Sequence, residues 1–388
     1  DRTTAGQIRN SLLREGFTVW MNTTDIQAGA EFQRAIEQGI EEADNLVYLL
    51  SAAALRSPWC QRELDYALSL HKRVIPVRVE AIAPAQIPPP LQNLQYIDLT
   101  DNSLESDYQQ DESQLIHSLR QDAAYHERHK LLLTKALRWE RQHRNPAMLL
   151  RGYNLRHAEN WLKVAQRSSA YPPLPLQAAL IAASLRQPPG GSLDVFISYS
   201  RADSGFARKL NEALQIQGKR TWFDQESIAA GTPDFQQEIH RGIESADICL
   251  FILSPRSVNS PYCADEVEYA ASLNKRLVTL LHQAVDPARL HPQLAKVQWL
   301  DFNQYEGDFS ANFTELLHIL NTDGTYLQAH THWLLKAIEW DKKGRKESLL
   351  LRDDELTEAE GWLALSVGKD PQPTQLQQTY IANSRLVE

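Results

Sequence analysis

The run Phe17-Thr-Val-Trp20 has a counterpart roughly 200 residues further on, Arg220-Thr-Trp222-Phe223, and the two tryptophans are the first of many matched positions. Ala43-Asp44 recurs as Ala246-Asp247, Cys60-Gln-Arg-Glu63 as Cys263-Ala-Asp-Glu266, Trp139 as Trp340, Leu149-Leu-Arg151 as Leu350-Leu-Arg352, and Trp161 as Trp362. A period of that length is far above any solenoid unit, so the 388 residues are a tandem of whole domains. The copies meet at Arg186-Gln-Pro-Pro-Gly-Gly-Ser192, a Pro/Gly linker, of which 187–192 is taken as the joint.

Each copy has two parts. In the second, Leu193–Ser198 reads as a strand, followed from Asp203 by a helical pattern with Phe206, Leu210 and Leu214 on one face. Strands over Arg220–Phe223, Ile248–Leu253, Arg276–Leu281 and Val297–Leu300 then alternate with helices from Pro233, from Pro261 to Leu273, and from Phe309 to Leu320. Strands alternating with helices predict a five-stranded parallel sheet, doubly wound and flavodoxin-like. The first copy predicts strands near Phe17–Met21, Leu46–Leu50, Arg73–Val77 and Gln95–Asp98, with no counterpart of the opening strand. In a 2-1-3-4-5 order that strand is interior, and its loss separates strand two from the sheet. The sequence is therefore expected to begin inside its first domain. After each α/β part comes a tail of roughly 65 residues with helical periodicity, expected to be a small all-α hairpin domain without chemistry. The resulting boundaries are 1–122 and 123–186 in the first copy, 193–321 and 322–388 in the second.

Composition narrows the function classes. Lys and Arg number 40 against 49 Asp and Glu, a net charge of −9, which disfavours nucleic acid and anionic lipid as partners. No apolar run approaches the length of a membrane helix and the start lacks the pattern of a secretion signal. Three cysteines without metal-ligand spacing predict a reducing, cytoplasmic setting and no zinc. Cys60 and Cys263 read as small buried hydrophobes, Trp20 and Trp222 as packing residues, and His126-Glu-Arg-His129 as a solvated helix face. No glycine-rich nucleotide-binding motif is present, which weakens a plain nucleotide-binding role.

Asp194-Val-Phe-Ile-Ser198-Tyr-Ser-Arg201, Trp222-Phe-Asp224, Ile228-Ala-Ala-Gly231 and Ser260-Pro-Tyr262-Cys-Ala-Asp-Glu266 resemble, in order and spacing, the successive boxes of a Toll/interleukin-1 receptor (TIR) domain. Trp20, Ala28-Gly29 and Ser57-Pro-Trp59-Cys-Gln-Arg-Glu63 repeat them, so the resemblance covers about two thirds of the chain. It implies a tandem TIR protein of bacterial type, with tails similar to segments that follow such domains in multidomain bacterial proteins. Many TIR domains cleave NAD at the nicotinamide–ribose bond with a glutamate in the pattern Trp-x-x-x-Glu. The resemblance thus implies Glu63 and Glu266 as catalytic residues, Trp59 and Tyr262 as aromatic plates one helical turn before them, and Ser198 and Arg201 as substrate contacts. NAD enters as a substrate, and no cofactor is implied. The family's assembly loop maps to Asp25 and Gly29 in the first copy and to Asp224, Glu226 and Gly231 in the second, which makes other TIR domains the expected partners. The implied function is an NAD-hydrolysing immune or stress effector, with cyclised ADP-ribose as a possible product. The alternative is a noncatalytic adaptor that works by homotypic assembly.

Overall fold

The computed structural model describes residues 2–21, 31–100, 105–167, 171–187, 192–223, 233–303 and 309–387. The chain divides into two compact units, one formed by 1–144 with 155–185, the other by 145–154 with 186–388.

In the first unit, α1 (Arg2–Arg14) leads through Phe17–Met21 towards α2 (Phe32–Glu42), β1 (Asn45–Leu50), α3 (Ala52–Arg56), α4 (Pro58–Ser69), β2 (Arg73–Arg78), β3 (Ile97–Asp98) and α5 (Glu105–Arg120). The sheet has three parallel strands in the order β1-β2-β3. The predicted strand at Phe17–Met21 is not one: the backbone there joins no ladder. The second unit shows why, because the matching strand pairs only with a neighbour that has no counterpart among the described residues of the first. Side-chain packing survives the missing ladder. Phe17 and Val19 lie against the core of Ile8, Leu12, Ile75, Val77 and Leu115, and the Trp20 ring sits where a Cβ on Gly39 would come within 2.8 Å. The tail consists of α6 (Ala123–Arg141), α7 (Gly152–Ala165) and α8 (Pro175–Leu185).

The second unit carries β4 (Leu193–Ser198), α9 (Ser204–Ile216), β5 (Thr221–Trp222), α10 (Pro233–Ser245), β6 (Ala246–Leu253), α11 (Pro261–Ser272), β7 (Arg276–Leu281), β8 (Trp299–Asp301) and α12 (Phe309–Asn321). All five strands are parallel, in the order β5-β4-β6-β7-β8, the doubly wound flavodoxin-like arrangement predicted from the alternation. β6 is buried along its whole length, as a strand covered on both faces must be. Period-two alternation sends Val195, Ile197, Leu250 and Ile252 towards α9 and α12, and Phe196, Cys249, Phe251 and Leu253 towards α10 and α11. Trp222 stacks on Phe196 at 4.7 Å and closes on Gly242, where a Cβ would meet the indole at 2.9 Å.

The second tail is three helices, α13 (Gly324–Lys342), α14 (Asp353–Leu365) and α15 (Gln375–Val387), rather than a hairpin. Trp333, Trp340, Trp362 and Tyr380 form its core. Helix α13 also packs on β6 and α10, and its Leu327 belongs to the hydrophobic cluster of the α/β part. In the first tail His126 and His129 are 4 % and 3 % exposed. The expected solvated face is therefore a buried one: His126 meets the Tyr171 ring at 5.0 Å and His129 the Trp161 ring at 6.0 Å, inside the tail.

Candidate active site

Helix α11 starts sharply. Ser260 caps it, its hydroxyl accepting from the Cys263 amide at 3.4 Å, and Pro261 occupies the first turn. Helix α4 starts the same way, with Ser57 accepting from the Cys60 amide at 3.3 Å and Pro58 following. These starts fix the phase of each helix, so an aromatic side chain and a carboxylate four residues later share one face.

In the second unit the buried side of the helix, with Cys263 and Val267, meets the carboxyl end of β4 at Ser198, and Tyr262 lies at the outer edge. Ser198, 3 % exposed, stands close enough to the Glu266 carboxyl for its hydroxyl to favour the charged form. Burial pushes the Glu266 carboxyl up to about 7, the Ser198 hydroxyl pulls against that, and neighbouring Asp265 adds to the rise. Because β4 and β6 are adjacent while their connections leave in opposite directions, Ser198 stands at the topological switch point where this fold class binds ligands. Ser198 also lines a cavity of about 30 Å³ with Ser257, Cys263 and His291. That volume suits a water molecule and is much smaller than a dinucleotide. Tyr262, 59 % exposed, stands on the solvent side of α11, and Arg201 is exposed in the short turn where Ser200 accepts from the Ala202 amide at 3.4 Å.

In the first unit Trp59 is 47 % exposed. Phe32 meets it edge to face at 5.8 Å, and the Arg62 guanidinium lies 5.2 Å from its ring centre. Glu63 is half-buried. Burial first, then the charges of Cys60, Glu63 and Asp65, push the Tyr48 phenol up to about 12, and its buried hydroxyl has no hydrogen-bond partner. Phe251 holds the equivalent place in the second unit, so the two carboxylates sit in different surroundings. Asp25, Gly29, Asp224, Glu226 and Gly231 lie outside the described residues.

The structure adds a polar cluster that the sequence reading did not single out. Asp203, 3 % exposed, accepts from Ser254 Oγ at 2.6 Å and has His282 Nε2 4.0 Å from its other oxygen. Ser254 and Ser257 hold one another through two backbone–hydroxyl bonds of 2.8 and 3.1 Å, and His282 stacks on Phe206 at 4.3 Å. Ser198, Ser254 and His282 thus end, or directly follow, the adjacent strands β4, β6 and β7. Their shared position just past a strand end was the available signal. Both buried thiols are pushed up chiefly by burial, Cys263 to about 11 and Cys249 to about 12, which suits inert side chains. Among the described residues no His, Cys, Asp and Glu group is arranged to hold a metal, and no helix is long and apolar enough to cross a membrane.

The solved TIR domain of the Toll-related receptor TRR-2 from Hydra magnipapillata is 18 % identical over 33 % of this chain and 98 % of its own, with a TM-score of 0.29. A metazoan TIR-STING receptor from C. gigas, solved with 2',3'-cGAMP, is 19 % identical over 34 % of this chain and 41 % of its own, with a TM-score of 0.28. A second structure of that receptor matches at 19 % identity over 45 % of this chain and 55 % of its own, also with a TM-score of 0.28. Less than two thirds of the receptor's length is therefore spanned in either case. No curated protein matches the chain. The TIR domain family model matches residues 1–116 and again 195–317, more than half of the sequence and once in each α/β part, so this chain belongs to the TIR domain family and carries that domain in tandem.

Proposed function

We propose that this chain hydrolyses NAD at the nicotinamide–ribose bond, with Glu266 as the principal reactive carboxylate and Glu63 in the same role in the first copy. The observation that carries the reading is the Ser198–Glu266 pair, a partly desolvated carboxyl pushed up to about 7 at the switch point of a parallel sheet. Cleavage breaks the bond between the ribose carbon and the pyridinium nitrogen. The electron pair stays on nitrogen, and nicotinamide leaves as a neutral base that needs no proton. The electron-poor ribose that remains resembles an oxocarbenium ion, which an ionised Glu266 stabilises or captures, and water then completes ADP-ribose. One carboxylate suffices for this leaving group. Tyr262 and Trp59 offer stacking faces one turn away, and Arg201 offers a cation for the pyrophosphate.

The role requires the ionised carboxylate, so nicotinamide release is expected to rise with pH through about 7 and then level off. Release measured for the parent chain, Glu63→Ala, Glu266→Ala and the double variant tests the proposal. The expected order is parent, then Glu63→Ala, then Glu266→Ala, with the double variant at background. Assembly with other TIR domains without catalysis is the second reading, favoured by the water-sized cavity. Absence of release under conditions that drive self-association selects it.

A further inference from the structure

Each copy ties its tail to its α/β part through the same constellation. In the second unit Glu244, at the end of α10 with its side chain 8 % exposed, accepts from Tyr269 Oη at 2.7 Å and from Lys342 Nζ at 3.0 and 3.3 Å. Lys342 is the last residue of tail helix α13. Tyr269 lies on α11, three residues past Glu266, with its ring stacked on His240 of α10 at 3.9 Å. In the first unit Glu41, with a side chain 6 % exposed, accepts from Tyr66 Oη at 2.6 Å and from both terminal nitrogens of Arg141, one of them at 3.0 Å. Arg141 is the last residue of tail helix α6, and Tyr66 lies three residues past Glu63.

A second repeated contact lies next to the first. The buried amine of Lys275 donates to the carbonyls of Glu244 and Ala246 at 2.8 and 2.7 Å and to Thr331 Oγ of α13 at 3.2 Å. Lys72 donates to the carbonyls of Glu41 and Ala43 at 2.7 and 2.6 Å. The loop beyond each tail's second helix also reaches the α/β part, Pro172 O meeting His71 Nδ1 at 2.8 Å and Gln372 O accepting from Asn274 Nδ2 at 3.0 Å. A carboxylate this buried is costly unless its partners all stay in place. Here one partner comes from the helix that bears Glu266 or Glu63 and the other from the tail.

We propose that the tail cation is a positioning residue: Lys342, through Glu244 and Tyr269, fixes the rotation and height of α11 and thereby the placement of Glu266 against Ser198, as Arg141, Glu41 and Tyr66 do for Glu63. The inference rests on the reading of Glu266 as the reactive carboxylate. The two copies keep the geometry with different cations, so the constraint is on charge and reach and not on one residue type. Arg at 342 is accordingly expected to work.

The test uses the full chain carrying Glu63→Ala, so that only the second copy reports. Lys342→Met and Tyr269→Phe are each expected to lower kcat for nicotinamide release about tenfold with KM within about twofold, because misplacement acts on the reacting geometry. Lys342→Arg is expected to restore kcat to within about twofold. Amide hydrogen exchange gives the independent arm: residues 261–272 of α11 should exchange about tenfold faster in Lys342→Met, with β6 and β7 unchanged. An unchanged kcat together with unchanged α11 exchange overturns the proposal, as does faster exchange throughout the sheet, which marks a merely structural contact. If the Glu63→Ala parent releases no nicotinamide, the proposed reaction fails, and the exchange arm alone decides whether the tail positions α11.

Discussion

Lys275 and Lys72 show how much a single buried side chain carries here. Each amine is pulled down to about 8, mainly by burial, yet each holds two main-chain carbonyls. Lys275→Met removes the donor and leaves those acceptors in an apolar place, so a loss of about 2–4 kcal/mol is expected in denaturant unfolding. Gly242→Ala acts through volume. Its Cβ would approach the Trp222 indole at 2.9 Å, and displacing that ring from Phe196 is expected to cost about 1–3 kcal/mol, read as a lower Tm. Ser198→Ala tests electrostatics. The Ser198 hydroxyl favours the ionised Glu266, so its removal is expected to move the rise of nicotinamide release above about 7. At this scale the sequence was informative about residue type and less so about surroundings. Ser198 and Glu266 are far apart in the chain and only the sheet brings them together. The His126 and His129 pair was misread because a 3.6-residue stripe states which residues share a face, not whether that face meets solvent.

At the scale of elements, the strands of the second copy were legible because β4, β6 and β7 are continuous β-branched and aliphatic runs bounded by Asp, Ser and Asn. Short strands were read one or two residues off: β5 is confined to Thr221–Trp222 and β8 to Trp299–Asp301. Phe17–Met21 has the composition of a strand and still forms none, since a strand exists only by pairing. Its apolar residues keep their packing without the ladder, so propensity and burial were readable there while hydrogen bonding was not. The tails were read as self-contained, whereas the contacts from Lys342, Thr331 and Arg141 cross the expected boundaries at 321–322 and 122–123. Helical periodicity identifies a buried stripe but does not name what covers it.

The whole molecule should feel acid through its tails. His129 and His330 are each held down at about 3, chiefly by burial, and nearby lysines, Lys72 and Lys275, add to the shift. Unfolding returns both imidazoles to about 6.5. Between about pH 6.5 and 3 the unfolded chain therefore binds more protons than the folded one, and stability falls as pH falls through that window. The expected slope is roughly 1.4 kcal/mol per pH unit for each histidine, on top of any carboxylate contribution. Thermal unfolding between pH 7 and 5 measures it, and a double His129→Gln, His330→Gln variant should flatten the dependence. Tandem placement has its own consequence if TIR domains are the partners, because a second copy on the same chain raises local concentration without a new contact.

The shared bracing also bears on ancestry. Because Glu41 with Arg141 and Glu244 with Lys342 each span the junction between α/β part and helices, the ancestral duplication copied a body of roughly 200 residues already fused into one piece. Either cation serves in this chain, so a chimera that trades whole repeats is expected to fold more readily than one that shuffles their halves.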